Sequence, residues 1–550
     1  MPHMPFLAPE GESLSELSEP DAEPDAFGRI DQPEPGVRVE EETLTIGGWV
    51  AFLSGPTARV EAWLGETRLG RARLGLPRPD VSEARDILGA AVSGFELTVD
   101  LSAISASDRT GEMRLRVVAT AIDGQRHELD PVAFALSRSS RDPTSIENLR
   151  PLATSRRRAG GRRILVATHQ LNLGGAQLYL IDLLSELLQQ GAIEPTVVSA
   201  FDGSLREDLE AMGIPVHICG PMPIDDLSAH LGRVEELTAW AAPYDFELAL
   251  INTATTLASA GAEVATRLDI PAVWAIHESF SPAIAWADLD PGVRECTEQA
   301  LSEATFAIFE AEATQQLYEP LIDTSRCLTL PYGLAPIDRD RFDAAAARRA
   351  AGIPTGAQVL LCVGTVEARK AQVPLAQAFE MVADRHPDAH LAFVGGNEHL
   401  YSEVLEDYIA VSAFRQRMRI VPVTPDVQPW YALADVLVCP SDVESLPRSV
   451  LEAMAWETPV LATSVFGLPE LIEHGRTGWL CEPRDISRLA EALDEVLGTP
   501  AQTRKEIGKR ARALVERRHS LPDYASEVSK LLKAAISDHA DGARAKTMAR

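Results

Sequence analysis

The chain has 550 residues, 45% of them hydrophobic and 24% charged, which is apolar material enough for about three globular domains. Its formal net charge of -30 excludes nucleic acid as the main partner, because a phosphate binder needs a basic surface, and disfavours whole-surface attraction to anionic lipid. The six cysteines stand singly, with no Cys-x-x-Cys pair and no metal-ligand spacing, and read as small buried hydrophobes in a reducing compartment.

In chain order, residues 1–37 are rich in Glu, Asp, Pro and Ser. That composition predicts a disordered acidic tail, because too little apolar surface is available to offset ordering entropy. The opening MPHMPFLAPEGES lacks a charged stretch followed by an apolar one, so no secretory signal is expected. No run approaches the length of a membrane-spanning helix. A cytoplasmic protein is expected.

Residues 38–138 alternate with period two at Val60, Ala62 and Leu64, at Phe95, Leu97 and Val99, and at Met113, Leu115 and Val117. With Asp123-Gly124 as a hairpin signal, this predicts an all-β sandwich. Trp49 is either a core residue or a ring for stacking on a sugar. Residues 139–163 read as a linker, a hinge rather than a shared core. Its cluster Arg156, Arg157, Arg158, Arg162 and Arg163 is either solvated or a contact for phosphate or a peripheral membrane surface.

From Ile164 the period changes. ILVAT, TVVSA, ELALINT and AVWAIH are short apolar runs separated by helical stretches, the rhythm of a parallel sheet covered by helices. GGAQLYLIDLLSELLQQG carries Leu180, Leu183, Leu184 and Leu187 on one stripe and stops at Gly191. The rhythm restarts with QVLLCVGT, LAFVGG, RIVPV, DVLVCP and PVLAT. Two Rossmann-like units are therefore expected, 164–338 and 339–503, facing a cleft. A helix at 504–534 crosses back to the first unit, and 535–550 form a flexible tail. Ligands of such sheets bind beyond the carboxyl ends of the strands.

The segment after DVLVCP is the most informative. Glu444 lies in a strand-to-helix loop, Pro447 suits a helix start, and Glu452 lies on the helix. A helix N-terminus there is suited to a phosphate, and a carboxylate beside it to sugar hydroxyls. Glu-x7-Glu with the following Ala-Met-Ala and Pro-Val resembles the signature of family 4 retaining glycosyltransferases, and the likeness covers roughly 164–520. The resemblance implies an α/β protein of the GT-B type, preceded here by the sandwich. It implies transfer of a sugar from a nucleotide-sugar donor to a glycan, lipid-linked or small-molecule acceptor, with no cofactor and no metal. By resemblance Glu444 contacts the donor hexose near the reacting carbon and Glu452 the ribose. Ser445-Leu446-Pro447-Arg448 stands where many members have Phe-Gly after the first Glu, which puts the backbone contacts near Leu446 in question.

Gly364-Thr365-Val366-Glu367-Ala368-Arg369-Lys370 follows the next Rossmann-like strand and resembles the family loop whose cations hold the donor diphosphate. Arg369 and Lys370 have no obvious acidic partner in the sequence, and fixed cations there would stabilise the departing diphosphate. Gly174 and Gly175 permit close approach of backbone to a ligand. Without G-x-G-x-x-G a dinucleotide-dependent dehydrogenase is disfavoured. By resemblance His277 sits near the donor sugar, with a core histidine as the alternative. Val423 and Thr424 border the base, Gly467 lines the pyrophosphate side, and Gly333 belongs to the interdomain hinge. Asp338-Arg339-Asp340 has metal-motif spacing but falls in that connection. Two other readings of the same fold stand beside the transferase: a non-catalytic nucleotide- or sugar-binding protein, and an epimerase or phosphorylase.

Overall fold

In a computed structural model, residues 26–35, 37–39, 43–65, 67–84, 90–100, 112–136, 162–397 and 400–548 are described. Among them the strands form four sheets.

The first two sheets make the sandwich. Its strands are β1 (Ala26–Gln32), β2 (Arg38–Val39), β3 (Thr43–Phe52), β4 (Thr57–Leu64), β5 (Thr67–Arg71), β6 (Arg73–Leu76), β7 (Gly94–Asp100), β8 (Glu112–Ala121), β9 (Arg126–Glu128) and β10 (Val132–Leu136). One sheet has the order β1-β3-β7-β6; the other is β2-β10-β8-β4-β5, with β9 on β8. Val60, Ala62, Leu64, Phe95, Leu97, Leu115 and Val117 are buried, as period-two alternation requires. Asp123-Gly124 turns β8 into β9, with Gly124 at φ 90°. The expected disordered tail of 1–37 is contradicted at its C-terminal end: Ala26–Gln32 pair antiparallel with β3, and Ala26 and Ile30 enter the core. The surrounding Asp, Pro and Glu mask those two inward positions in the sequence. Residues 1–25 and the linker arginines 156–158 lie outside the described residues.

The first α/β unit contains β11 (Arg162–Gln170), β12 (Ile193–Phe201), β13 (Val216–Ile218), β14 (Leu248–Asn252), β15 (Ala272–Ile276), β16 (Phe306–Phe309) and β17 (Cys327–Thr329). They form a parallel sheet in the order β13-β12-β11-β14-β15-β16-β17. Helix α1 (Gly175–Gln189) follows β11 and buries Leu180, Leu183, Leu184 and Leu187. Gly191 ends it at φ 62°, a left-handed position that suits glycine. Helix α2 (Glu312–Tyr318) follows β16.

The second unit contains β18 (Gln358–Val363), β19 (Ala389–Gly396), β20 (Met418–Pro422), β21 (Val436–Cys439), β22 (Val460–Thr463) and β23 (Trp479–Cys481). Its parallel order is β20-β19-β18-β21-β22-β23. Helix α3 (Arg448–Ala455) lies between β21 and β22, with Pro447 as its N-cap. Helices α4 (Ala501–Arg518) and α5 (Leu521–Met548) close the chain.

Helix α5 returns to the first unit: the hydroxyls of Tyr524 and Tyr179 on α1 are 2.6 Å apart. Residues 535–548 continue this helix rather than forming a flexible tail, with Ala535 fully buried. Gly333 packs so closely on α5 that a Cβ there would lie 2.3 Å from the Leu521 Cα.

The expectation of a hinge-linked sandwich is contradicted by the packing. One apolar cluster runs from Val50, Phe52 and Leu74 into Val373, Ile486 and Leu489 of the second unit. Gly75, at φ 77°, brings β6 so close that a Cβ would stand 3.2 Å from both Val373 and Pro374. Arg59 pairs with Asp485 at 3.2 Å, and Arg484 donates to the Arg71 carbonyl at 2.6 Å. The composition of the linker says nothing of this surface, because its partners lie hundreds of residues away.

Candidate functional site

The strand ends of the second unit bring three of the sequence-predicted residues together, Arg369, Lys370 and Glu444. Strands β18 and β21 are adjacent and parallel, so the loops that follow them emerge side by side. After β18, Gly364 has φ 146°, and the neighbouring Gly395 has φ 131°. A Cβ on Gly395 would meet the Gly364 carbonyl oxygen at 2.2 Å, so bare backbone is required where the loop after β18 passes the end of β19. The chain then turns at Ala368–Lys370. After β21, Ser441 to Pro447 are all buried.

The two loops meet at Glu444. Its carboxylate accepts from the Ser441 hydroxyl at 2.9 Å and pairs with the Lys370 ammonium. The Arg369 guanidinium lies 3.7 Å away. Burial opposes charge on Glu444, but Lys370 and Arg369 outweigh it and hold the carboxyl below its ordinary range. Arg369 also pairs with Glu367 at 2.7 Å. The expectation that these two cations lack acidic partners is therefore corrected. Glu367 is two residues from Arg369 in sequence, while Glu444 reaches both through the fold. The arrangement is a carboxylate already charged, with two cations that an incoming diphosphate can share.

Glu452 on α3 is buried. It accepts from the Tyr431 hydroxyl at 2.9 Å and from Arg448 Nε at 2.8 Å. Arg448 reaches Asp182 on α1 at 2.6 Å. Leu446 is buried. A Cβ on Gly467 would stand 2.2 Å from the Ser445 carbonyl oxygen and 2.7 Å from the Ala311 Cβ, so the two units pack closely at Gly467. Nearby, Thr314 and Ser445 share a hydroxyl hydrogen bond of 2.9 Å, and Glu470 accepts from the N–H groups of Glu312 and Ala313 at the start of α2, both at 2.9 Å.

Across the cleft, β14, β15 and β16 are consecutive parallel neighbours. The residues at their carboxyl ends therefore fall in a row: Asn252, His277 and Glu310. His277 Nδ1 is 2.5 Å from Glu310 and its Nε2 is 2.9 Å from Asn252 Oδ1. The Asn252 amide nitrogen donates to the Ala176 carbonyl at 3.2 Å, which leaves its oxygen for the histidine. Burial lowers the imidazole pKa, but Glu310 more than reverses this, and His277 is held above its ordinary value. The Tyr179 ring packs edge-on at 4.5 Å. His277 is thus an oriented group held toward its charged form, with a nearly buried side chain and both ring nitrogens engaged. Behind it, burial and the His277 charge bring His169 down to about 4.

Gly174 caps α1 without a side-chain bond, and a Cβ on Gly175 would meet nothing within 4 Å, so the start of that helix borders open space. Val423 is 47% exposed, and the Thr424 hydroxyl accepts from the Asp426 N–H at 3.1 Å. Both lie beyond β20, at the far end of the same sheet edge. Trp49 is half-buried, with the Arg78 guanidinium 5.8 Å from its ring centre. Arg339, from the Asp-Arg-Asp sequence, pairs with Glu457 at 2.8 Å. Among the described residues no group of three His, Cys, Asp or Glu is arranged to hold a metal ion, and no helix is long and apolar enough to cross a membrane.

Sequence reasoning missed Asn252, Glu310 and Asp182. The first two had a usable signal: they end apolar strands beside the one that ends in His277.

Residues 173–322 match the family described as Glycosyltransferase Family 4, and residues 357–499 match Glycosyl transferases group 1. The chain is 28% identical over 356 residues to a D-inositol 3-phosphate glycosyltransferase of Streptomyces scabiei, spanning 60% of this chain and 79% of that one. It is 38% identical over 166 residues to the protein of the same name from Thermobispora bispora, spanning 28% of this chain and 39% of that one. Its fold is similar to that of Anabaena Alr3699/HepE in complex with UDP-glucose, with a TM-score of 0.58 at 20% identity over 68% of this chain and 99% of that one. Sucrose-phosphate synthase from Thermosynechococcus elongatus gives a TM-score of 0.59 at 20% identity over 68% of this chain and all (100%) of that one.

Proposed function

Because the chain belongs to the family 4 glycosyltransferases and has their GT-B fold, we propose that it transfers a sugar, with retention and without a metal, from a nucleoside-diphosphate donor held against the second α/β unit. The observation that carries this reading is the convergence of Arg369 and Lys370 on buried Glu444 at two adjacent strand ends.

In this reading the donor diphosphate takes over Lys370 and Arg369. Negative charge grows on it as the bond to the sugar carbon breaks, and fixed cations stabilise that change without reorganising. Glu444, released from Lys370, accepts from a sugar hydroxyl. Glu452 grips the ribose, and on the opposite wall the sugar takes over the His277 Nε2–H from Asn252. The acceptor, a glycan, a lipid-linked sugar or a small polyol such as an inositol phosphate, enters between α1 and the donor. The named activity of the Streptomyces relative and the UDP-glucose in the Anabaena structure support a nucleotide sugar and a hydroxyl acceptor.

The test is turnover of a panel of UDP-, GDP- and ADP-sugars with inositol phosphates and oligosaccharides, in EDTA, with the product anomer read by proton NMR. Transfer with the donor's anomeric configuration supports the reading. An inverted product, or turnover that depends on added Mn²⁺ or Mg²⁺, contradicts it.

A further inference from the structure

The loop that carries Glu444 is held from outside the two α/β units. Asp442 lies between Ser441, which donates to Glu444, and Val443, whose carbonyl faces Arg369 at 3.4 Å. The Asp442 N–H donates to the Arg369 carbonyl at 2.8 Å. Its side chain is 3% exposed and faces two guanidiniums. Arg484 of the same unit is 3.5 Å away; Arg73, on β6 of the sandwich, donates from Nε at 3.3 Å. Strand β6 also lies against the Ala368–Lys370 turn. The sandwich therefore touches both loops of the donor site.

We propose that Arg73 is a positioning residue of the donor site, acting through Asp442 on the loop that carries Glu444, so that the β-sandwich is a working part of the transferase. The proposal rests on the donor-site reading above. A buried carboxylate needs cationic partners, or it takes up a proton or turns away. About 20 Å³ of space remains beside Asp442, Leu74, Pro374 and Arg484, room for about one water. Burial already pushes the Asp442 carboxyl up against both arginines, and it pulls Arg484 down. The two arginines are about equally exposed, Arg73 at 20% and Arg484 at 21%. Removal of Arg73 leaves Asp442 with one cationic partner, Arg484 at 3.5 Å. Since Asp442 is tied by its backbone to Arg369, and its neighbour Ser441 to Glu444, a shift there moves the carboxylate relative to both cations.

The experiment uses the full chain and the nucleotide sugar that the wild type turns over in a panel of UDP-, GDP- and ADP-sugars. Arg73→Ala, Arg73→Lys, Asp442→Asn and the double variant Arg73→Ala/Asp442→Asn are compared by kcat, KM and melting temperature. Arg29→Ala, which removes an exposed pair with Asp31, is the control. The expected kcat of Arg73→Ala is about 10- to 100-fold below wild type, the scale of a small misplacement of catalytic groups, with KM changed less than about threefold. Arg73→Lys recovers most of the loss, and the double variant is no slower than Asp442→Asn. Arg73→Ala at wild-type kcat, or losses that simply add in the double variant, overturn the proposal. If Arg73→Ala does not fold, Asp442→Asn decides: a tenfold fall in kcat supports the proposal and wild-type kcat overturns it. Wild type inactive on every sugar ends the donor-site reading, and this proposal with it; active wild type with unaffected variants ends this proposal alone.

Discussion

Arg448 on α3 joins Asp182 on α1 across the boundary between the two α/β units at 2.6 Å, while its Nε holds Glu452 at 2.8 Å. One guanidinium therefore orients the carboxylate read as the ribose ligand and ties the opposing walls of the cleft. Burial alone would lower the Arg448 pKa; Glu452 and Asp182 raise it above the ordinary arginine value, so it stays charged at every working pH. Both partners in the cross-unit pair are mostly buried, with side chains 16% and 22% exposed. A charged hydrogen bond of this kind contributes about 1.5–3 kcal/mol. A double-mutant cycle with Asp182→Ala and Arg448→Met, read by denaturant unfolding, is expected to give a coupling of at least about 1 kcal/mol. Additive losses would mean that the pair does not hold the units together.

The second prediction concerns Lys370. Glu444 is held below its ordinary value, so the stabilisation from its charge is full above about pH 4.3. It is lost as the pH falls through the lower folded value. Without Lys370, burial is opposed only by the more distant Arg369 and the Ser441 hydroxyl, and the Glu444 carboxyl rises. Lys370→Met should move the acid limb of kcat/KM to higher pH. Superimposable acid limbs for the two proteins would show that Lys370 does not set the charge of Glu444.

His277 gives the opposite sign. Its pKa is held above the ordinary histidine value by Glu310, so the stabilisation is full below about pH 6.5 and is lost as the pH rises through the folded value. Glu310→Gln should flatten the fall in melting temperature as the pH rises above about 6.5. His230, which pairs with buried Glu263 at 2.9 Å and is also raised, contributes a similar slope. Glu263→Gln separates the two. An unchanged slope in Glu310→Gln would remove the assignment of a charged His277.

The fourth prediction concerns the sandwich. A fragment starting at residue 162 uncovers Val373, Pro374, Ile486 and Leu489, which meet Leu74 and its neighbours in the full chain. Each large apolar side chain left in water forfeits about 1.5–3 kcal/mol. The fragment should aggregate, or melt well below the full chain. A soluble fragment with the full chain's melting temperature and donor affinity would mean that this contact is dispensable.

Much of the architecture was legible because it is local. The apolar runs ending in Asn252, His277 and Cys439 are strands by length and composition, and the parallel rhythm places their ends on one edge. Glu444, Arg369 and Lys370 could be found because they follow such ends. What could not be read is the pairing of charges across distance. Arg448 and Asp182 are 266 residues apart, and Arg73 and Asp442 are 369 apart; neither pair leaves a periodic signal. Strand β1 was hidden for a different reason, since only Ala26 and Ile30 carry its inward face.

The central claim is that Arg369 and Lys370 hold a donor diphosphate. Calorimetric titration of UDP, GDP and ADP into the wild type, and of whichever binds into Arg369→Ala/Lys370→Ala, tests it most directly. Two charged hydrogen bonds at about 1.5–3 kcal/mol each predict a loss of affinity of at least about 100-fold, increased by the unpaired Glu444 facing the phosphates. Equal affinity in the two proteins, with the fold intact by circular dichroism, would contradict the account.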